Sequence, residues 1–151
     1  MTELALPKID KKTLEKKDYI FKSLAKIINP EHVLSHKDEI KPYETDGLSA
    51  YKQTPLAVVM PENTKEVSSI LKFCYEENIK VVPRGAGTGL SGGALPLQDA
   101  VLLSLGKFNK ILDIDFENKC VVTQPGVTNL GLTHAVQHKG FYYAPAVSYT
   151  H

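Results

Sequence analysis

The chain has 151 residues, of which 42% are apolar and 23% charged, and its formal net charge is +1. These values are typical of one globular domain with a sizeable core, and the near-zero charge gives no reason to expect a nucleic-acid partner. No stretch approaches the ~18 uninterrupted apolar residues of a transmembrane helix, and the opening residues lack the apolar core of a signal peptide. We therefore expect a cytoplasmic protein, at most peripheral at the inner face of the membrane.

The first predicted element is an amphipathic helix from Lys17 to Ile28. Apolar residues recur there at helical spacing, and the pair Asn29-Pro30 ends the pattern. Residues 1–12 before it are polar and are expected to be loose. The polar stretch after it, up to about Thr54, is expected to be irregular.

A strand–helix–strand unit is predicted next. The apolar run Ala57–Met60 lies between two prolines and predicts a buried strand. Asn63 and Glu66 have the spacing of a capping box, which opens a helix that ends at Asn78. The following strand is Ile79–Val82. Because a helix separates the two strands, we expect them to be parallel, with a right-handed connection.

Three β-prone segments separated by short turns follow: Val101–Ser104, Ile111–Ile114 and Cys120–Thr123. The short turns predict that the sheet becomes partly antiparallel here. A helix is predicted from Thr128 to Lys139, with Gly140 as its left-handed stop, and a further strand begins at Phe141–Tyr143. The predicted fold class is α+β, a small mixed sheet with flanking helices.

Five of the ten glycines lie between Gly85 and Gly93, directly after a predicted strand. Without β-carbons, glycines let successive backbone N–H groups converge on one point and let an anion approach closely. The hydroxyls of Thr88 and Ser91 add possible donors, and Arg84 either adds positive charge or pairs with a nearby acid. The segment predicts a diphosphate site, in preference to a merely flexible turn.

Two other kinds of phosphate loop do not fit this context. A Walker loop ends in Gly-Lys-Ser/Thr, and Gly92-Gly93-Ala94 has no lysine. Gly87–Gly92 matches the G-x-G-x-x-G pattern of Rossmann folds, but that pattern requires a helix that opens inside the loop. The strand at Ala100 follows Gly93 too soon for such a helix.

Other clusters of reactive residues give weaker predictions. His134 and His138 lie four apart on the last helix, but no third ligand accompanies them, so no metal site is predicted. Cys74 and Cys120 are isolated in the sequence. We expect both to be small, reduced core residues.

The glycine segment resembles the pyrophosphate loop of the FAD-linked oxidases, whose FAD domain is of the PCMH (vanillyl-alcohol-oxidase) type. Within that family the sequence is most similar to the glycolate oxidase FAD subunits and the FAD-linked D-lactate and D-2-hydroxyacid dehydrogenases. Similar sequence continues outside the loop, so the resemblance covers about residues 34 to 145, at Tyr43–Tyr51, Pro55–Pro61, Gln124–Val127 and Tyr142–Pro145.

The resemblance implies a domain organisation and a set of cofactor contacts. Residues 1–33 are an N-terminal arm and helix, and residues 34–151 are the first lobe of the FAD domain, without its second lobe and substrate-binding cap. The implied pyrophosphate loop comprises Arg84, Gly85, Ala86, Gly87, Thr88, Gly89, Leu90 and Ser91. A second contact, near the flavin or the adenine, comprises Gln124, Pro125, Gly126 and Val127. The family's catalytic residues have no counterpart here, so none is assigned.

In relatives that bond FAD covalently through this loop, a histidine stands where this chain has Thr88, so the resemblance implies non-covalent FAD. The implied activity of the full-length family is oxidation of a small 2-hydroxyacid, with hydride passing from the substrate α-carbon to flavin N5. The sequence leaves the family pattern at Ala146–Tyr149 and ends soon after a predicted strand, which indicates truncation.

Two interpretations therefore remain open at this stage. In one, the chain is a component of an oxidoreductase and is inactive alone; its missing half either comes from another chain, such as a further oxidase subunit, or was removed. In the other, it is a non-enzymatic remnant that folds and self-associates without a tightly bound cofactor, because the surface left open by truncation is apolar.

Overall fold

The computed structural model describes residues 7–144, and the chain divides into two compact units after Lys107. The predictions at Pro145, at Ala146–Tyr149 and at the chain end lie outside the described residues. No helix within the described range has both the length and the apolar character that crossing a bilayer requires.

The first unit is built on a four-stranded sheet with the strand order β1-β2-β4-β3. The short β1 (Val33–Leu34) pairs antiparallel with β2 (Ala57–Val59). Both β2 and β3 (Lys80–Arg84) pair parallel with β4 (Ala100–Ser104), which lies between them. Since these three strands run in one direction, their carboxyl ends all meet the same edge of the sheet.

Helices cover both faces of this sheet. They are α1 (Lys11–Glu15), α2 (Lys17–Ile27), α3 (Lys37–Ile40) and α4 (Thr64–Glu76), with 3-10 turns at Pro30–His32 and Lys41–Tyr43. One core joins α2 and α4 to the sheet through side chains with no exposed surface, among them Leu24, Val59, Ile70 and Val101. On the other face, Ile40 packs against Val58 and Leu102. Strands β2 and β4 are thus buried on both sides, as parallel strands usually are.

The predicted strand–helix–strand unit over Ala57–Val82 is confirmed, and its two strands are parallel. They are not neighbours, because β4 lies between them. The predicted change to antiparallel pairing at Val101–Ser104 is wrong. Residues 85–99 are long enough to return to the start of the sheet without a helix, so β4 enters parallel to both neighbours.

The second unit consists of an antiparallel pair, β5 (Ile111–Asp115) and β6 (Cys120–Thr123), with helix α5 (Asn129–Val136) and a 3-10 turn at Gln137–Lys139. The predicted caps are confirmed: the Thr128 hydroxyl accepts from the Gly131 amide, and Gly140 has φ +77°. The predicted strand at Phe141–Tyr143 is wrong, since residues 141–144 join no sheet. Of the three predicted segments, the second and third therefore pair antiparallel, as β5 and β6 of this separate sheet. The predicted α+β fold class is confirmed.

Three further expectations need correction. The stretch expected to be loose begins a helix at Lys11, and the stretch expected to be irregular contains β1 and α3. Cys74 is buried as predicted, and burial raises the pKa of its thiol to about 11, but Cys120 is exposed. The domain boundary at residues 33 and 34 stays a prediction; α2 shares one core with the sheet that follows it.

A buried carboxylate fastens the chain before α1 to the sheet. The side chain of Asp99, 2% exposed, accepts hydrogen bonds from Lys80 Nζ at 2.7 Å and from the Asp10 backbone amide at 2.6 Å. Burial alone would raise the pKa of Asp99, but the bonds from Lys80 and the Asp10 amide outweigh it, so this pKa is lowered. Asp10 in turn caps α1 by accepting from the Lys12 amide.

Replacing Asp99 with asparagine should lower the free energy of unfolding at pH 7 by about 1–3 kcal/mol, because a hydrogen-bonded charge is lost. A carboxyl whose pKa is lower in the folded state stabilises fully above its unfolded value of about 3.9 and loses that effect as the pH falls through the folded value. Denaturant unfolding from pH 7 to pH 2 should show the difference from the parent protein shrink below about pH 4. Asp113→Asn, at an exposed position, is the control. A difference that stays constant down to pH 2 would contradict this account.

Candidate functional site

The glycine loop (residues 85–93) leaves the carboxyl end of β3, at the edge of the sheet where β2 and β4 also end. Ligands of open parallel sheets usually bind outside this edge. Every residue of the loop is exposed except Gly87 and Gly92, which are half-buried. The predicted site therefore lies where the topology of the sheet favours one.

The backbone of this loop keeps its hydrogen-bond donors free. Within the described range, none of the N–H groups of residues 85–93 donates to a protein acceptor. Because most residues of the loop are exposed, these amides are open to solvent or to a ligand. Gly87 and Gly92 have φ of +74° and +75°, and left-handed residues of this kind occur in anion-binding concavities of the backbone.

The space around the glycines is open on the solvent side. A β-carbon placed on Gly85, Gly89 or Gly93 would meet nothing within 4 Å. A β-carbon on Gly87 would instead overlap the guanidinium of Arg84. Open space beside free amides fits a diphosphate group, which needs several donors and close approach of the backbone.

Arg84 holds the loop to the neighbouring segment at Thr45. Its Nη1 donates to the carbonyl oxygens of Thr45 at 2.7 Å and Ala94 at 3.4 Å, and its guanidinium carbon lies 5.6 Å from the centre of the Tyr43 ring. Of the two roles predicted for Arg84, pairing with an acid is not observed: no carboxylate in residues 7–144 lies within ion-pairing distance of its guanidinium. Its guanidinium therefore bonds to backbone carbonyl oxygens next to the loop.

Two residues of the site were missed from the sequence. Asp46 is 5% exposed, and its carboxylate accepts from the Leu48 amide at 2.9 Å and the Ala94 amide at 3.3 Å. Gly47, the next residue, packs against the backbone of the loop. The only available signal was that the segment Tyr43–Tyr51 resembles the same family as the loop.

A mostly apolar cavity of about 620 Å³ adjoins the loop on the same unit. Ser91, Gly92 and Gly93 form one of its walls, and Tyr51 and Val82 lie among the remaining lining residues. A groove of this character suits a flat, weakly polar ring that is attached to a charged group on the loop.

The second predicted contact, Gln124–Val127, belongs to the other unit. It is a turn between β6 and α5 whose amides are paired within the second unit: the Val127 amide donates to Gln124 O, and the Gly126 amide donates to Phe108 O at 2.7 Å. The Gln124 side chain also accepts from the Lys110 amide at 3.0 Å. The structure thus places Arg84 next to residues 85–91. Residues 124–127 form a turn of the second unit, where they are hydrogen-bonded to Phe108 and Lys110.

A protein-family model described as an FAD binding domain matches residues 55–150 of the chain. Among similar proteins is the glycolate oxidase subunit GlcD of Escherichia coli, 44% identical over 141 residues, which are 93% of this chain and 27% of that protein. A D-lactate dehydrogenase of Anaerostipes hadrus is 36% identical over 96% of this chain and 29% of its own length. A mitochondrial D-2-hydroxyglutarate dehydrogenase of Arabidopsis thaliana is 33% identical over 85% of this chain and 23% of its own length. The chain spans about a quarter of the length of these relatives.

Solved structures of other proteins also superpose on the chain. p-Cresol methylhydroxylase with bound substrate has a TM-score of 0.72 at 25% identity, over 87% of this chain and 26% of that one. The isoeugenol complex of 4-ethylphenol oxidase from Gulosibacter chungangensis has a TM-score of 0.75 at 25% identity, over 90% of this chain and 27% of that one. The part matched is therefore again about a quarter of the longer chain.

Replacing Gly87 with valine should destabilise the loop. A left-handed backbone costs an L-residue about 1–2 kcal/mol, and the new side chain would also displace the Arg84 guanidinium. Chemical denaturation should show a fall in the free energy of unfolding of at least this size. Gly89→Val is the matched control, because its β-carbon meets open space. Equal losses in the two variants would mean that the position of Gly87 is not special.

Proposed function

The chain belongs to the family of FAD-linked oxidases with a PCMH-type FAD-binding domain, and on that premise we propose that its glycine loop (residues 85–93) holds the pyrophosphate of FAD for the oxidation of a small 2-hydroxyacid. The observation that carries this proposal is a run of backbone amides at the carboxyl edge of the sheet that have no acceptor among residues 7–144. A pyrophosphate carries two negative charges and accepts many hydrogen bonds, so it matches what this loop leaves unpaired.

The residues of the chain bind and orient the cofactor. Amides of the loop donate to phosphate oxygens, and the exposed hydroxyls of Thr88 and Ser91 provide two more donors. Arg84 adds positive charge next to the loop, which it holds through its bonds to the Thr45 and Ala94 carbonyl oxygens. The cavity beside Ser91 receives a ring attached to the pyrophosphate, and Gln124–Val127 provides a second, rigid contact with the cofactor.

The substrate class rests on the relatives. Glycolate, D-lactate and D-2-hydroxyglutarate, which appear in their names, all carry a hydroxyl on the carbon next to a carboxylate. FAD, when bound, supplies the two-electron acceptor that takes hydride from this carbon at flavin N5. None of the residues of this chain is assigned to the chemical step. We propose that the active enzyme contains, besides this chain, further oxidase subunits or a further part of the FAD domain.

One observation favours a second candidate, a domain that self-associates without a cofactor. In the β5–β6 hairpin, Leu112 is 61% exposed and Val122 is 52% exposed. Exposed apolar side chains on a sheet favour association. In this alternative the glycine loop is a solvated turn, and the apolar hairpin is the functional surface.

Calorimetric titration separates the two candidates. We expect the chain to bind FAD and ADP, which carry a pyrophosphate, and to bind adenosine far more weakly, because adenosine offers nothing to the amides. Size-exclusion chromatography over a range of concentrations is run on the same samples. If the chain binds neither ADP nor FAD and dimerises as its concentration rises, the second candidate is favoured and the first is contradicted.

Bound FAD should be released when the protein is denatured. The side chain of Thr88 has no nucleophilic nitrogen, so the loop offers no histidine bond to the flavin at this position. After acid precipitation of the FAD-loaded protein, the yellow colour and the flavin absorbance should be found in the supernatant. Flavin that remains with the washed precipitate would contradict the prediction. Protein precipitated first and mixed with FAD afterwards controls for trapping.

A further inference from the structure

A short segment of the chain lies directly against the back of the glycine loop. This support segment (Thr45–Leu48) follows a 3-10 turn and is distant from the loop in sequence. A β-carbon added to Gly47 would lie 2.6 Å from the carbonyl oxygen of Thr88 and 2.8 Å from that of Gly89. Real β-carbons essentially never approach backbone atoms so closely, so this contact between two backbones requires glycine at position 47.

The contact limits where two peptide groups can lie. Two consecutive carbonyl oxygens, those of Thr88 and Gly89, lie close to the β-carbon position of Gly47. The N–H groups that share these peptides belong to Gly89 and Leu90. Both residues are exposed, and neither N–H donates to an acceptor in the described residues.

Two more contacts hold the support segment and the loop together at the ends of the loop. Arg84, directly before the loop, donates to the Thr45 carbonyl at 2.7 Å. Ala94, directly after it, donates its amide to the buried carboxylate of Asp46 at 3.3 Å. The loop is thus tied at each end, and Gly47 touches it between these ties.

We propose that Gly47 is a positioning residue for anion binding, which keeps the Thr88 and Gly89 carbonyls on the support segment so that the amides of Gly89 and Leu90 face the pyrophosphate. This inference rests on the proposed function of the loop. Gly47 does not touch the anion. If either peptide turned over, a carbonyl oxygen would face the phosphate in place of an N–H, and attraction would become repulsion. The orientation of the peptides therefore determines the sign of the interaction as well as its size.

The first test replaces Gly47 with alanine, with Gly106→Ala as the matched control. A β-carbon on Gly106 makes only an ordinary contact, 3.7 Å from Ser104 Oγ, and that glycine lies outside the loop. Calorimetric titration with ADP should show affinity reduced at least about tenfold in Gly47→Ala, because aligned donors to a charged group are lost, and unchanged in Gly106→Ala. Circular dichroism at the titration temperature must show that both variants are folded, so that the loss reports on the site.

The second test needs no variant and decides the case if Gly47→Ala does not fold. In an NMR titration of the parent protein with ADP, the backbone amide signals of Gly89 and Leu90 should be among those that shift most. ADP that binds while these two signals stay in place overturns the inference, as does equal ADP affinity in the parent protein and a folded Gly47→Ala. A parent protein that binds neither ADP nor FAD overturns the proposed function itself, and this inference with it.

Discussion

The N–H groups of residues 85–93 must stay without an acceptor in the described residues, and the loop must still hold a defined conformation. Free backbone donors are normally removed by pairing in helices and sheets. Here they persist because the loop joins neither, and because its shape is fixed from behind by Arg84, Asp46 and Gly47. A loop with the same glycines but no such support would lose more conformational entropy when it binds an anion.

The sheet explains why this loop lies where it does. Strand β4 enters between β2 and β3 and is parallel to both, so the chain leaving β3 must cross back to the opposite edge before β4 can begin. A helix usually makes that return; in this chain residues 85–99 make it without one. The carboxyl end of β3 is therefore followed by exposed backbone with no regular partner. The buried centre of the sheet keeps the ends of this segment in place.

Features set by neighbouring residues could be predicted from the sequence. The cap at Asn63, the cap at Thr128 and the left-handed stop at Gly140 depend on residues three or four positions away, and all three are present. The cap at Asn63 differs from the predicted capping box in one respect: the Glu66 carboxylate accepts from the amide of Glu62, the residue before the cap. The glycine loop could be recognised for the same reason, since its pattern lies in nine consecutive residues.

Features set by distant partners could not be predicted in this way. The helix at Lys11 depends on Asp10, which is held by Asp99, 89 positions away. The parallel entry of β4 depends on two strands that its own sequence does not specify. Asp46 was missed because its partner Ala94 is 48 positions away, and Gly47 because the residues it supports, Thr88 and Gly89, lie in a different segment of the chain.

Hydrogen–deuterium exchange measured residue by residue, with and without FAD, tests the central claim most directly. Without FAD, the amides of residues 85–93 should exchange quickly, because no acceptor in the described part of the chain protects them, while those of β2 and β4 should exchange slowly. With saturating FAD, several amides of the loop should become protected, and Gly89 and Leu90 should be among them. Loop amides that are already protected without FAD, or that stay unprotected when FAD is bound, would contradict the account.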